Sequence, residues 1–275
     1  MNYRHAYHAG NHTELFKHAA LVALIEHLCQ KPTPFMVLDT HAGIGIYDLQ
    51  SPEALKTKEA QAGVLSVIDS DAPSLQSYLS IVRQLNKFAP RYYPGSPEIV
   101  RRLLRASDRL IACELHPIDV GLLRKNLRDD PRVAIHHRNG YEAVRAFCPP
   151  PERRGLVFID PPFERLDEFD LMLKAVTQGM RKWPTGIFAA WYPIKGQKLG
   201  RAAAQRVLSE RVRTCLVAEF LPFALTPESL AGSGLVICNA PWRFEEKLAN
   251  ICAELFRLVG SSGGTWSVDS IELGS

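Results

Sequence analysis

The sequence predicts an α/β protein: a mainly parallel sheet with helices on both faces, an antiparallel last strand pair, and a small helical insertion. Three observations carry that expectation. After residue 35, short apolar runs recur that are mostly too continuous for strands with one wet face. Segments with helical spacing lie between them. Residues 50–90 then break the alternation, because they hold no strand-like run at all.

Taken in order, Asn11 followed by Glu14 reads as an N-cap and its N3 partner, opening a helix at His12. The first strand is "FMVLD" (35–39). Residues 53–68 are a weak helix candidate. Leu75, Tyr78, Leu79, Val82 and Leu85 repeat at three and four, which predicts an amphipathic helix over 73–88. "SPEIVRRLLRAS" (96–107) predicts another, with Ser96 as N-cap, Pro97 in the first helical position, and Ile99, Leu103 and Leu104 on one face. Strands follow at 109–115, 132–137, 155–160 and 186–192. "TCLVAEFLPF" (214–223) and "GSGLVICNAP" (232–241) are separated only by a loop, which suggests an antiparallel pair. The Gly/Ser-rich tail ends in an alternating stretch that suits a last edge strand. A main domain of residues 1–49 and 91–275 is expected, with residues 50–90 as the insertion and 1–30 as an N-terminal segment and helix.

Composition narrows the class. Of 275 residues, 46% are apolar and 23% charged, as in ordinary globular proteins. No apolar run approaches the ~18 residues of a membrane span, and the N-terminus lacks a secretory pattern, so a cytoplasmic protein is expected. The six cysteines include no CxxC pair, which argues against a zinc knuckle or thioredoxin-like motif and for buried thiols. A formal charge of +4 permits a polyanionic partner without requiring one. Arg101, Arg102 and Arg105 are expected on one helix, and Arg124, Lys125 and Arg128 on another. Such runs are more often solvated faces than binding patches.

In a doubly wound sheet the ligand sits beyond the carboxyl ends of the strands. The first strand leads into "DTHAGIG", where Asp39 can accept hydrogen bonds and Gly43 and Gly45 allow close backbone approach. The spacing is not GxGxxG, which counts against a dinucleotide oxidoreductase. The second strand ends at Glu114, where an acid either holds a ribose hydroxyl pair or is simply solvated. "GLVFIDPPFE" is more specific, for it runs a buried strand into Asp160-Pro161-Pro162-Phe163. Two prolines stop the strand and stiffen the chain. A terminator alone needs neither the acid before them nor the aromatic after. A nucleobase amine is a poor nucleophile because its lone pair is delocalised. A carboxylate and a rigid backbone carbonyl can accept its two N–H groups, and an adjacent ring can stack on the extruded base.

"DPPF" after "DTHAGIG" resembles the amino-methyltransferases that use S-adenosylmethionine on a Rossmann-like sheet. With "YRHAYHAGNHTELFKH", "RYYPGSP", "CELHP" and "WYPI" in order, the chain is similar to the ribosomal large-subunit methyltransferase J family, which methylates one adenine N6 of 23S ribosomal RNA. The resemblance implies S-adenosyl-L-methionine as cofactor and 23S rRNA as partner; no metal and no membrane are expected, and the chain is expected to be monomeric. It implies cofactor contacts at His18, Asp39, His41, Gly43, Ser96, Glu114, Asn139, Gly140 and Asp160. It places Asp160, Pro161, Pro162 and Phe163 at the target amine, with Tyr3, His5 and Lys17 facing the reacting groups. Two positions depart from the pattern: Asn139-Gly140 stands where Asp-Gly is commoner, and Phe163 where Tyr is commoner.

Four histidines in sixteen residues also raise a metal site. His12 and His18, six apart on one helix, fall on different faces, and methyl transfer from a sulfonium requires no metal. By resemblance the segment folds over the cofactor pocket instead. Rival functions are cytosine-N4 methylation, methylation of a protein glutamine amide (disfavoured by Asp160) and a non-catalytic nucleic-acid-binding or DNA-utilisation role on the same fold.

Overall fold

The apolar runs become one eight-stranded sheet in a computed structural model that describes residues 5–209, 212–226 and 229–273. A single 3₁₀ turn at His5–Tyr7 precedes α1 (His12–Cys29), then come β1 (Met36–Asp39) and β2 (Ile46–Asp48). The helical stretch holds α2 (Pro52–Thr57), α3 (Glu59–Ala62), α4 (Val64–Val67) and α5 (Gln76–Leu85), and β3 (Tyr92–Pro94) closes it. Next are α6 (Ser96–Leu103), β4 (Arg109–Glu114), α7 (Pro117–Asn126), β5 (Val133–His137), α8 (Gly140–Phe147) and β6 (Gly155–Ile159). The chain ends with α9 (Glu168–Lys182), β7 (Ile187–Ile194), α10 (Gly200–Val207), β8 (Thr214–Leu221), β9 (Gly232–Cys238), α11 (Phe244–Val259) and β10 (Thr265–Glu272).

Across the sheet the order is β5, β4, β1, β6, β7, β9, β8, β10. The first five of these are parallel, while β9 runs antiparallel to both β7 and β8, and β10 pairs antiparallel with β8 at the edge. The period-two geometry of the strands divides their side chains between two cores. Val37, Leu110, Ala112, Leu156 and Phe158 face the side covered by α1, α6 and α11. Leu38, Ile111, Cys113, Val157 and Ile159 face the side covered by α8 and α9. Each fully buried Leu, Ile or Val contributes roughly 1.5–3 kcal/mol, so both faces are strongly specified. The edge strands β5 and β10 are the exceptions, being mostly half-buried or exposed.

Several local expectations change. Gly95, not Ser96, occupies the cap of α6, which makes Ser96 its first residue and ends the helix at Leu103. Arg105 therefore lies beyond that helix, and Arg128 lies beyond α7. Arg101 and Arg102 pair with buried Glu98, and Arg105 with Asp108, so these cations are engaged locally. The 53–68 candidate is three short helices, broken at left-handed Lys58 and at Gly63. The 73–88 candidate becomes a 3₁₀ turn at Pro73–Leu75 followed by α5. β2 and β3, each three residues long, pair antiparallel at the neck of the inserted helices.

α1 is a core helix. Its residues from Thr13 to Ile25 are buried without a polar face, as expected of a helix packed on all sides. It sits against α6, α11 and β9. Asn11 caps it, its Oδ1 accepting from the N–H groups of Thr13 and Glu14, both at 3.0 Å. Glu14 does not close a capping box; its carboxylate is used elsewhere.

Candidate active site

β1 is the switch point of the sheet, because the chain passes from it to β4 and β5 on one side and later to β6 and β7 on the other. Its register sets Asp39 beside Ala112 of β4 and Phe158 of β6. Strand ends that diverge around such a point leave a crevice. Here it is a pocket of about 710 Å³ above the ends of β1, β4, β5 and β6.

The pocket gathers His5, Lys17, His18, His41, Gly43, Ser96, Glu114, Asn139, Gly140, Asp160 and Pro162 in its wall. Asp39, fully buried, lies beneath the lining, acted on by Ser96, His41 and Asp160. Pro161 is buried and Phe163 turns to the side, its ring edge-on to Trp191 at 5.9 Å. Phe163 has a φ of +52°, a conformation a bulky residue holds only under constraint from its surroundings, as happens at functional sites. Tyr3 lies outside the described residues.

At the end of β4, Glu114 accepts the N–H groups of Gly43 at 2.9 Å and His116 at 2.7 Å. Burial raises its pKa, and those two N–H groups counteract the rise. Its carboxylate keeps lone pairs for further donors. Asn139 caps α8, with its Oδ1 accepting from Tyr141 N–H at 2.9 Å and Glu142 N–H at 3.3 Å. Gly140 follows because α8 starts against the turn after β1: a Cβ there would lie 2.1 Å from the Thr40 carbonyl oxygen. Tyr141 closes the wall, donating to Glu168 at 2.6 Å and meeting the His41 ring edge-on at 5.0 Å.

On the opposite side is a buried ionic chain. Lys17 Nζ reaches Asp160 Oδ2 at 2.5 Å and also pairs with Glu14. Glu14 in turn holds His5 Nε2 at 2.9 Å. The Lys17 ammonium also lies 4.9 Å over the Trp191 ring. Burial disfavours the ammonium, but Asp160 and Glu14 outweigh it, and the Lys17 pKa rises. Asp160 is 11% exposed at its side chain; its burial, helped by Glu14, outweighs the pull of Lys17 and raises its pKa. Two histidines in the wall are neutral. Burial lowers His41 to about 4 and His18 to about 3, and His18 Nδ1 is 2.8 Å from the Tyr93 hydroxyl. Asp39 is pushed up to about 7, by burial first, and neither of its oxygens has a hydrogen-bond partner of normal geometry.

Glu14, Tyr93, Tyr141 and Trp191 are members of this site that the sequence reading did not assign. For Glu14 a signal was present: residues 14, 17 and 18 share a helix face at i, i+3 and i+4. The cap reading masked it. Tyr93 and Trp191 sit in motifs that were recognised, "RYYPGSP" and "WYPI", but nothing in their spacing shows what their rings touch. Among the described residues, no group of three or more His, Cys, Asp or Glu is arranged to hold a metal ion.

A Rossmann-like sheet, an acid closing β4 and Asp-Pro-Pro-Phe closing β6 define a methyltransferase of the S-adenosyl-L-methionine-dependent class. Residues 32–272 match the family described as ribosomal RNA large subunit methyltransferase D, RlmJ, and the chain belongs to that family. It is 38% identical to ribosomal RNA large subunit methyltransferase J of Haemophilus influenzae, over 98% of this chain and 99% of that one. It is 36% identical to the Escherichia coli K12 protein of the same name, over 91% of each. The crystal structure of LPL1258 from Legionella pneumophila superposes with a TM-score of 0.88 at 31% identity, covering 96% of this chain and 98% of that one. No described helix is long and apolar enough to cross a membrane.

Proposed function

We propose that the protein methylates the exocyclic N6 amine of one adenine in 23S ribosomal RNA, in the cytoplasm, by direct in-line attack of that amine. The observation that carries this reading is Asp160. Lys17 engages its Oδ2, and among the described residues no protein group engages Oδ1, which leaves an oriented acceptor in the pocket wall.

The pocket suits the cofactor in charge as well as size. Asp39 and Asp160 are adjacent buried acids with raised pKa values; Asp160 has the Lys17 ammonium, whereas both oxygens of Asp39 lack a partner. A ligand carrying a sulfonium and an ammonium relieves Asp39. His18 and His41, being neutral, offer hydrogen bonds without repelling it. Glu114 would hold the ribose hydroxyls, and Ser96, His18 and His41 the amino-acid end. When bound, the cofactor supplies an electrophilic methyl carbon. Asp160 Oδ1 and a backbone carbonyl of the proline pair accept the two amine N–H groups and favour a pyramidal nitrogen, while the Phe163 ring, edge-on to Trp191 in the free protein, turns to stack on the base. Alignment of this kind supplies much of the acceleration. The methylated nitrogen then sheds one proton, for which Asp160 is the nearest carboxylate. Incubating the protein with labelled S-adenosylmethionine and unmodified 23S rRNA should give labelled N6-methyladenosine on digestion; label in N4-methylcytidine or in no nucleoside would overturn the assignment.

Two consequences concern the cofactor. Below pH 7 the free protein carries a proton on Asp39 that a cationic ligand must expel. Affinity should therefore rise with pH, by up to ~10-fold per unit below 7, and flatten above it. Calorimetry at pH 6.5 should show proton release as a binding enthalpy that varies with buffer, and Asp39→Asn should remove that variation. Asn139 spends its Oδ1 on the α8 cap, so it presents an amide donor where an adenine amine also donates. Asn139→Asp caps equally well and adds an acceptor. It should tighten S-adenosylhomocysteine binding about 3- to 10-fold; unchanged or weaker binding would count against adenine recognition at this position.

A further inference from the structure

We propose that the inserted helices seat the N-terminal segment, and that Glu59 of α3 is a positioning residue for methyl transfer. The proposal rests on the reading above, that the pocket methylates an RNA amine. Glu59 binds the segment twice: its Oε1 is 3.0 Å from His8 Nδ1, and its Oε2 accepts from Asn11 Nδ2 at 2.9 Å. Asn11 is the residue whose other side-chain atom caps α1. One carboxylate of the insertion thus fixes both the loop before α1 and the first turn of α1, which carries Glu14 one turn ahead of Lys17.

Neighbouring contacts reinforce this seat. Val64 N–H donates to the Gly10 carbonyl at 2.8 Å, and Thr57 Oγ1 donates to the Tyr7 carbonyl at 2.5 Å. The backbones approach so closely that a Cβ on Gly63 would lie 2.0 Å from the Gly10 oxygen. At the pocket end of the same segment, His5 bonds Glu14 and its ring packs 5.1 Å from Tyr47, which belongs to the strand at the neck of the insertion. The inserted helices therefore hold Tyr7, His8, Gly10 and Asn11, while α1 and β2, at the neck of the insertion, hold His5. Glu59 touches no reacting group and does not line the pocket. It acts through Asn11 and His8 on where His5 and Glu14 stand. Glu59 and His8 are about a third or more exposed at their side chains, and an ion pair so placed contributes little to global stability. Position, and not folding, is what its loss changes.

The test compares Glu59→Ala, Glu59→Asp and, as an independent lesion, Gly63→Ala. Amide hydrogen exchange across residues 5–11 should speed up ~10-fold or more in Glu59→Ala and Gly63→Ala, with exchange in the central strands unchanged. With rRNA substrate, kcat should fall ~10-fold or more, the dissociation constant for S-adenosylhomocysteine should stay within ~2-fold, and Glu59→Asp should recover part of the rate. Unchanged exchange in residues 5–11 overturns the seat. Faster exchange with wild-type kcat overturns the positioning role. A wild-type protein that leaves 23S rRNA unmethylated sinks the proposed function instead, and the exchange measurement still decides the seat.

Discussion

Asp160→Asn should abolish methyl transfer, lowering the single-turnover rate about 10³-fold or more, while the fold and cofactor binding persist. Asn keeps the volume and one acceptor oxygen, but it loses the charge that Lys17 grips at 2.5 Å. Without that grip the remaining oxygen is no longer aimed, and the amide competes by presenting donors to a donor amine. Loss of one oriented group in a dry site typically costs 10²–10³ in rate, and misalignment of the amine adds to it. Stability should fall only modestly, because Lys17 retains Glu14 as a partner. The measurement is burst methylation of unmodified 23S rRNA at saturating cofactor, beside calorimetric binding of S-adenosylhomocysteine. A variant that keeps a rate within tenfold of the wild type would remove Asp160 from the centre of the mechanism.

The fold was legible wherever local chemistry alone decides it. β1, β4, β6 and β7 are continuous apolar runs, and burial on both faces is the direct physical consequence. Asp160 could be read because the acid, two prolines and an aromatic are contiguous. What failed depended on partners distant in the chain. Ser96 has the chemistry of a cap, yet it is the first residue of α6 because the chain enters from β3 with Gly95 in extended geometry. Glu14 looked like half of a capping box because its real partner network runs through Lys17 to a strand end 143 residues away. β2 and β3 are too short to leave a pattern, and their pairing follows from the neck they close. α1 could have been read as a core helix, since its apolar residues leave no polar stripe.

Lys17→Met is the second large effect, and it separates charge from packing. Methionine fills a similar volume but leaves Glu14 and Asp160 without the ammonium that lies between them. Two buried carboxylates in one network resist joint ionisation, so a proton enters the pair. The pKa of Asp160 is already raised by burial and by Glu14, and losing Lys17 removes the main influence that lowers it. Deprotonation then requires higher pH, so the acid limb of the pH–rate profile should move upward. At pH 7 the rate should fall about 10²- to 10³-fold, with partial recovery toward pH 9. Breaking a buried pair by removing one partner costs about 3–5 kcal/mol, so the variant should also unfold at lower denaturant. Adding Glu14→Gln to Lys17→Met removes the stranded charge and should restore part of that stability, though not the rate, because Asp160 stays unaimed. Equilibrium unfolding of the two single variants and the double variant isolates the coupling. A Lys17→Met protein with the wild-type acid limb, or a double variant no more stable than Lys17→Met alone, would show that Lys17 does not set the charge state of Asp160.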